Sequence, residues 1–498
     1  MIARPPAVPD APAWTRGARL PLLLLLLTLL VRAQTFGNPV IEFDEQFYRL
    51  VGERMLQGAV PFIDIWDRKP IGLFLLYALA ALIGGAHALS YQLMAALFVA
   101  GTAWLIHAMA RPLCASWRGP LVAAALYILW LNLLQGEGGQ ASVLTALPMC
   151  GAAFLILRHI PRDGDGGVEG GGGLWRDGAL AMLLVGLAAQ IKYTVLLEGL
   201  FFGLALLWLA WRQGAGAVRL VGWGAGWASL AALPTVLAWV TYAAMGQSEA
   251  WLFANVTSIF LRAPMPLDDL LGELAGGVAT ILLLIVAAWL GWRRRVGRGP
   301  VQRFVALWAL VAFASMVVMR SFSPHYFIPL VPPLVLLASP ALDVMRRFAI
   351  GLTALAAIVG QILIGVFIWS KGDGDTVDHL VAAIGPAPHC IFVFDGFPAL
   401  YAESRSCLPG RLVFPGHLNG IMEAGSLGVD PVAEVERIMA TRPDAIVTDF
   451  PIWSLHNPGT KAVVDRELAA HYRLVLREET GKGRFRLVYR RKADDPAR

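Results

Sequence analysis

Long runs of apolar residues, repeated along most of the chain, are the feature that most constrains its fold. The first run, "LPLLLLLLTLLV", occupies residues 20–31, and comparable runs recur up to residue 369. A helix needs about 20 apolar residues to cross the hydrocarbon core of a bilayer. The chain is 57% hydrophobic and 15% charged, whereas soluble domains are roughly half apolar and a quarter charged. The sequence therefore predicts a polytopic α-helical membrane protein.

The basic residues predict how the chain crosses the membrane. Segment 70–85 is short, starts at a proline and ends in two glycines. If it dips in or lies at the interface without crossing, the arginine-bearing connections all fall on one side, which the positive-inside rule assigns to the cytoplasm. This arrangement gives about eleven crossings, with the N-terminus inside and the C-terminus outside. The expected spans are 20–36, 88–110, 119–135, 141–158, 177–191, 194–211, 218–242, 271–292, 302–319, 326–342 and 348–369.

The same pattern divides the chain into three parts. Residues 1–19 are expected in the cytoplasm, 20–370 form a membrane domain whose first outward loop is 37–87, and 371–498 form an outward domain. The first apolar run also resembles a signal peptide, but we interpret it as an uncleaved anchor. The net charge of +6 comes largely from arginines in short loops, so it does not indicate nucleic-acid binding.

The C-terminal region changes in character after residue 370. "CIFVFD" (390–395) and "DAIVTDF" (444–450) are typical of short buried strands, and "PVAEVERIMATRP" between them is typical of an amphipathic helix. Residues 472–492 predict a closing hairpin with "GKG" at its turn. These patterns together predict a small α/β domain. Its Cys390 and Cys407 either pair in an oxidising compartment or remain two buried thiols.

The stretch directly after the first apolar run carries unusual charge. As a helix, residues 42–57 place Phe43, Phe47 and other apolar side chains on one face, with the charged residues mainly away from it. Such a helix would rest on the membrane surface and hold Asp44 near the lipid headgroups. A carboxylate there can accept the proton of an attacking hydroxyl; otherwise Asp44 only caps or solvates a surface helix.

Several cationic or hydrogen-bonding residues belong to the same predicted outer face. Arg68 and Lys69 precede Pro70 and suit a lipid phosphate, and the alternative is ordinary interfacial snorkelling, which is common. Lys192 lies between two apolar stretches, where a merely solvated lysine is less expected. The segment "RSFSPHYF" adds Arg320, His325 and Tyr326. Together these residues predict a cationic pocket facing one acidic helix.

The order of these motifs resembles a known family. "DEQFY", "GAVPFIDIWDRKPIG", "GLAAQIKY" and "SPHYFIPLVPPL" follow one another across nearly the whole chain. The combination is similar to the bacterial GT-C glycosyltransferases of the protein O-mannosyltransferase and aminoarabinose-transferase type, including the RgtA/B/C/D-like group. The resemblance implies a helical membrane core of the GT-C type, a catalytic acid in the first outward loop, and sugar donors attached to polyprenyl phosphate.

The resemblance also implies roles for individual residues. Asp44, with Glu45 beside it, matches the catalytic acid, and Lys69 matches the lysine of a "KPP" motif near the donor phosphate; in this chain the motif reads "KPIG". The residues expected around the same cavity have two roles. Donor-phosphate contacts are expected from Arg68, Lys69, Lys192, Arg320, His325 and Tyr326, and acceptor or secondary contacts from Tyr48, Asp64, Glu137 and Gln140.

Many family members carry an acid in the second outward loop, which in this chain reads "QGEGGQAS" and places Glu137 several residues early. The sequence therefore does not support a bound divalent metal, and no cofactor is predicted. The expected function is an inverting transfer of a sugar from polyprenyl phosphate to a hydroxyl of a lipid, glycan or protein, at the outer face of a bacterial inner membrane.

Other classes of function remain open on the sequence. A membrane transporter or flippase of a glycolipid would place its charges or broken helices near mid-bilayer. An O-antigen ligase or polymerase would use a lipid-diphosphate donor, and a non-catalytic scaffold would use the C-terminal domain to bind a partner. The glycosyltransferase interpretation requires that Asp44, Lys69 and His325 converge.

Overall fold

The computed structural model describes residues 17–161, 172–294 and 299–492, so residues 1–16 of the expected cytoplasmic N-terminus lie outside the described residues. The described chain is mostly helical, with a small sheet near the C-terminus. The helices are α1 (Arg19–Arg32), α2 (Phe43–Met55), α3 (Ile71–Gly84), α4 (Ala88–Ala110), α5 (Arg118–Leu131), α6 (Ala141–Leu157), α7 (Gly172–Ala189), α8 (Leu196–Arg212), α9 (Ala217–Ala244), α10 (Ser248–Leu252), α11 (Ser258–Leu261), α12 (Leu267–Arg293), α13 (Pro300–Met319), α14 (Val331–Val344), α15 (Arg346–Lys371), α16 (Gly374–Ile384), α17 (Leu400–Glu403), α18 (Pro415–Asn419), α19 (Pro431–Ala440) and α20 (Pro458–His471). The strands are β1 (Ile391–Val393), β2 (Ala445–Phe450), β3 (Tyr472–Glu479) and β4 (Phe485–Arg491).

Each segment that the sequence predicts to cross the membrane coincides with a helix of the structure. Among the described residues, 7 helical segments are long and apolar enough to span a bilayer, and α3, α5 and α6 belong to shorter apolar helices. A helix of the length of α3 extends only about 21 Å, less than the hydrocarbon core. The polytopic helical fold is confirmed, whereas the number of crossings and the path of segment 70–85 stay predictions.

The chain forms two compact units, each built from three stretches of sequence. The first unit, which we call the helical unit, comprises Met1–Gln34, Leu93–Ala238 and Leu267–Ile364. The second, which we call the loop unit, comprises Thr35–Gln92, Trp239–Pro266 and Gly365–Arg498. The loop unit therefore contains the first predicted outward loop together with the C-terminal sheet.

The helical unit has an apolar core made where its helices pack against one another. Helix α14 contacts both α12 and α5, and α6 packs along α7. Leu284, Val335 and Trp308 are among its fully or almost fully buried side chains. Gly291 of α12 lies directly against the backbone of Leu337 in α14, where an added Cβ would clash. Small residues allow such close helix packing within a membrane.

The loop unit packs α2 against α3. A Cβ on Gly52 would lie 2.7 Å from the backbone nitrogen of Ala78, so only glycine permits this approach. The sequence predicts that the charged residues of α2 lie mainly away from its apolar face, yet in the structure several of them are buried as well. Arg49 and Glu53 are only 6% and 8% exposed, because Arg49 pairs with both Glu53 and Glu403, each at 2.6 Å. Helix α2 is thus enclosed by protein over most of its surface.

The C-terminal sheet has the strand order β1-β2-β4-β3. Strand β1 pairs in parallel with β2, and β4 pairs antiparallel with both β2 and β3. Strands β3 and β4 form the predicted hairpin, whose turn contains Gly481 and Gly483, both with positive φ. Asp430 caps α19 by accepting hydrogen bonds from two backbone amides of its first turn. The predicted small α/β region is confirmed.

Candidate active site

The residues singled out from the sequence divide between the two units, and each group is described by itself. The loop unit holds Asp44, Glu45, Tyr48, Asp64, Arg68 and Lys69. The helical unit holds Glu137, Gln140, Lys192, Arg320, His325 and Tyr326.

Asp44 lies in the first turn of α2, where the helix dipole favours a carboxylate. It is half-buried, and its Oδ2 accepts a hydrogen bond of 3.2 Å from the Tyr48 hydroxyl. The spacing of four residues places the two side chains next to each other on the helix surface. Tyr48 itself is only 1% exposed, so its ring is fixed by the surrounding protein. The structure therefore presents Asp44 on a rigid support.

Lys69 approaches the same tyrosine from the segment before α3. Its Nζ lies 6.0 Å from the centroid of the Tyr48 ring, at the outer limit of a cation–π contact. Pro70 follows in an extended conformation and precedes the first residue of α3. Tyr48 thus contacts a carboxylate through its hydroxyl and an ammonium through its ring. Of the predicted residues of the loop unit, Asp44, Tyr48 and Lys69 form this group.

Glu45 occupies a different environment from Asp44, although the two are adjacent in sequence. Its side chain is 0% exposed. The Glu45 carboxylate lies close enough to Tyr77 and Tyr91 to act on both electrostatically. Since Asp44 alone of the two acids is partly accessible, Asp44 is the better placed to meet a substrate.

Arg68 and Asp64 make contacts that the sequence does not indicate. The Arg68 guanidinium donates to Glu423 at 2.5 Å and to the Ser426 hydroxyl at 2.9 Å. Asp64 is exposed, and its carboxylate accepts a hydrogen bond of 2.7 Å from the backbone of Val60, which closes a local turn. The substrate contacts of Arg68 and Asp64 stay predictions.

Glu423 is the residue of this region that sequence reasoning missed. It accepts hydrogen bonds from Arg68 and from Arg262, the latter at 2.7 Å. Burial opposes its ionisation, but the hydrogen bond and charge of Arg68 and the charge of Arg262 lower the pKa of Glu423 to about 2. Nothing local in the sequence marks it, because Arg68 and Glu423 are 355 positions apart.

A second buried pair adjoins this one. His417 Nε2 lies 3.7 Å from the carboxylate of Asp67, and the His417 ring packs on Trp66 at 4.8 Å between centroids. Burial disfavours the ionised form of Asp67, yet the neighbouring His417, the charge of Lys69 and the backbone amide of Arg68 together lower its pKa. In the segment leading to Lys69, two successive residues, Asp67 and Arg68, therefore have side-chain partners that hold them in place.

In the helical unit the structure brings Lys192 together with Tyr326. Lys192 Nζ lies 3.7 Å from the centroid of the Tyr326 ring and donates to the Ser142 hydroxyl at 2.7 Å. The His325 ring lies against Tyr326 in a tilted arrangement, with 4.7 Å between ring centroids. Arg320 is exposed and ends α13 in a left-handed conformation. Lys192, Tyr326 and His325 thus share one locality.

Glu137 and Gln140 lie in a buried loop that α1 holds in place. Arg32, which is 0% exposed, donates to the carbonyl of Gly138 at 3.0 Å and also to the carbonyl of Gly136. Glu137 lies between these two glycines and is 1% exposed. Gln140 is the residue before α6, the helix that supplies Ser142 to Lys192. Arg32 therefore holds the loop that leads into α6, the helix whose Ser142 accepts the hydrogen bond from Lys192.

Two further predictions concern metals and cysteines. Within residues 17–161, 172–294 and 299–492, no group of three or more His, Cys, Asp or Glu side chains is arranged to hold a metal ion. The prediction that the protein has no resident metal remains untested. Cys390 and Cys407 are joined in a disulfide with 4.8 Å between their Cα atoms, which ties the residue before β1 to the loop after α17.

Comparison with known proteins gives a structural likeness without a sequence match. No family model and no curated protein matches the chain. The crystal structure of ArnT from Cupriavidus metallidurans bound to undecaprenyl phosphate is similar, with a TM-score of 0.62 and 15% identity over 95% of this chain and 98% of that one. The apo state of the same ArnT gives a TM-score of 0.63 and 14% identity over 94% and 97%. At this level of identity the likeness concerns the fold, and the chain has the GT-C fold of ArnT.

Proposed function

We propose that the protein is a glycosyltransferase that moves a sugar from a polyprenyl-phosphate donor to a hydroxyl acceptor. The observation that carries the proposal is the placement of the Asp44 carboxylate and the Lys69 ammonium on one buried tyrosine, Tyr48. A glycosyl transfer to a hydroxyl needs a base for the acceptor and a cation for the leaving phosphate. The GT-C fold, and a fold neighbour that binds undecaprenyl phosphate, support the lipid-linked donor.

The donor phosphate is assigned to Lys69. As the bond between the anomeric carbon and the phosphate oxygen breaks, its electron pair goes to the phosphate and negative charge develops there. A fixed ammonium stabilises this charge more strongly in a water-poor site than in water. Donor contacts are also proposed for Lys192, His325 and Tyr326, which the helical unit brings together.

Asp44 is assigned as the general base. It accepts the proton of the acceptor hydroxyl while that oxygen attacks the anomeric carbon from the side opposite the phosphate. A single displacement of this kind inverts the configuration of the sugar. Tyr48 holds the Asp44 carboxylate through its hydroxyl and thereby fixes the direction in which the base acts.

The reaction is assigned to the outer face of the inner membrane of a bacterium. The disulfide between Cys390 and Cys407 supports an oxidising compartment for the C-terminal region. The distribution of arginines in the sequence agrees with the same orientation. Lipid-linked donors suit this location, since they remain attached to the membrane.

The proposal is tested by comparing a host that contains the protein with one that lacks it. Mass spectrometry of envelope glycans and lipids is expected to show the loss of one sugar and the accumulation of that sugar on polyprenyl phosphate. Accumulation on polyprenyl diphosphate would favour a ligase or polymerase instead. Normal function in a folded Asp44→Asn variant would favour a transporter or a scaffold.

A further inference from the structure

Glu423 links the three sequence stretches of the loop unit, because it lies in one of them and forms ion pairs with a residue of each of the other two. Its carboxylate accepts from Arg68, just before α3, and from Arg262, between α11 and α12. In the same turn, the Met422 carbonyl accepts a hydrogen bond of 3.0 Å from the backbone amide of Ala263. Ser426 adds its hydroxyl to both Arg68 and Glu423. The C-terminal region thereby holds two loop segments through one acidic side chain.

Because Glu423 is buried, the loss of either Glu423 or its arginine partner would be costly. Glu423 is only 8% exposed, and the side chain of Arg68 is 17% exposed. Loss of one partner from a buried ion pair leaves the other charge without compensation, which is far more costly than loss of a surface pair. The conformation of Arg68 therefore depends on a residue that lies far from it in sequence.

The anchoring of Arg68 also affects the position of Lys69, because Lys69 is the next residue in the chain. Asp67 is anchored by His417 and Arg68 by Glu423, and Pro70 restricts the backbone on the other side. We infer that Glu423 is a positioning residue, which fixes the segment from Asp67 to Pro70 and so sets the place of the Lys69 ammonium for the donor phosphate. This inference rests on the proposed function.

The test uses the full-length protein in lipid nanodiscs, with undecaprenyl phosphate as the probe and native mass spectrometry as the readout. Glu423→Asp keeps the charge but shortens the side chain, so it cannot hold both arginines. We expect it to weaken binding about tenfold in the presence of Lys69 and less than about twofold in a Lys69→Met background. The matched control is Glu436→Asp, since Glu436 is exposed and pairs only loosely with Arg466 at 3.5 Å.

A milder change keeps the test decisive if Glu423→Asp does not fold. Ser426→Ala removes only the hydroxyl shared by Arg68 and Glu423. Hydrogen exchange of the peptide covering residues 60–70 should then speed up, with undecaprenyl phosphate binding weakened about threefold.

Equal loss of binding with and without Lys69, or no loss at all, would overturn the positioning role. Unchanged binding in Lys69→Met alone would instead contradict the proposed function.

Discussion

The Tyr48 hydroxyl donates a hydrogen bond of 3.2 Å to Asp44, while the ring of the same tyrosine faces Lys69 at 6.0 Å. One buried aromatic residue thus relates the proposed base to the proposed phosphate cation. Because Tyr48 is packed by Phe74 and Tyr77 in edge-to-face contacts, it has little freedom to move. The relationship makes the chemistry of the site sensitive to a single hydroxyl group.

Tyr48→Phe removes that hydroxyl and keeps the ring. A hydrogen bond to a charged group contributes about 1.5–3 kcal/mol, so we expect the turnover rate to fall by at least about tenfold. Donor binding should change little, because the ring still faces Lys69. Steady-state transfer assays separate the two parameters. Tyr472→Phe is the matched control, since it removes a buried hydroxyl that donates to the Pro443 carbonyl at 2.9 Å, within the C-terminal α/β region.

Lys69→Met removes the ammonium and retains an apolar chain of similar length. We expect binding of undecaprenyl phosphate to weaken about 10–100-fold, because a charge-assisted contact to the phosphate is lost. Lys69→Arg should retain part of the affinity. Titration by native mass spectrometry measures both. Lys461→Met, which removes a lysine paired with Asp465 within α20, should bind like the wild type.

Arg32→Met removes the guanidinium that donates hydrogen bonds to the carbonyls of Gly136 and Gly138. Each buried carbonyl that loses its partner costs about 1–3 kcal/mol, so the thermal midpoint of the detergent-solubilised protein should fall clearly. Arg19→Met, at the exposed start of the same helix, should have little effect. Equal midpoints for the two variants would show that the loop around Glu137 does not depend on Arg32.

Stability should depend on acid through Glu423. Its pKa in the folded protein is about 2, below the ordinary value of 4.5, so its ionised form stabilises the fold above pH 4.5 and this contribution is lost as the pH falls toward 2. The full contribution is on the order of 3 kcal/mol. The difference in thermal midpoint between the wild type and Glu423→Gln should therefore shrink as the pH is lowered from 6 to 3. A constant difference would contradict the ion-pair assignment.

The sequence predicts local structure well where one physical pattern dominates. Apolar runs of membrane length and the buried strands at residues 391–393 and 445–450 can be located from their patterns alone. The helix containing Asp44 is also predicted correctly, but its surroundings are not. Helix α2 has buried charged residues because Arg49 pairs with Glu403, a partner 354 positions away. No periodicity within a helix carries information about such a distant partner.

The candidate site shows the same division. Asp44 and Lys69 can be proposed from the charge pattern and the family resemblance, whereas the role of Tyr48 between them needs the structure. Glu423 cannot be proposed from the sequence at all, because its surroundings, "HLNGIMEAGS", have no charge pattern or motif that indicates a site. Long-range ion pairs are fixed by the fold and leave no local signal.

The central claim is that Asp44 deprotonates the acceptor in a transfer from polyprenyl phosphate. It is tested most directly by supplying membranes that contain either the wild type or a folded Asp44→Asn variant with the sugar-loaded polyprenyl phosphate that accumulates when the protein is missing. Transfer of the labelled sugar to the acceptor is then measured over time. The account predicts that Asp44→Asn binds the donor normally but transfers about 10²–10⁴-fold more slowly. Transfer by Asp44→Asn at the wild-type rate would contradict it.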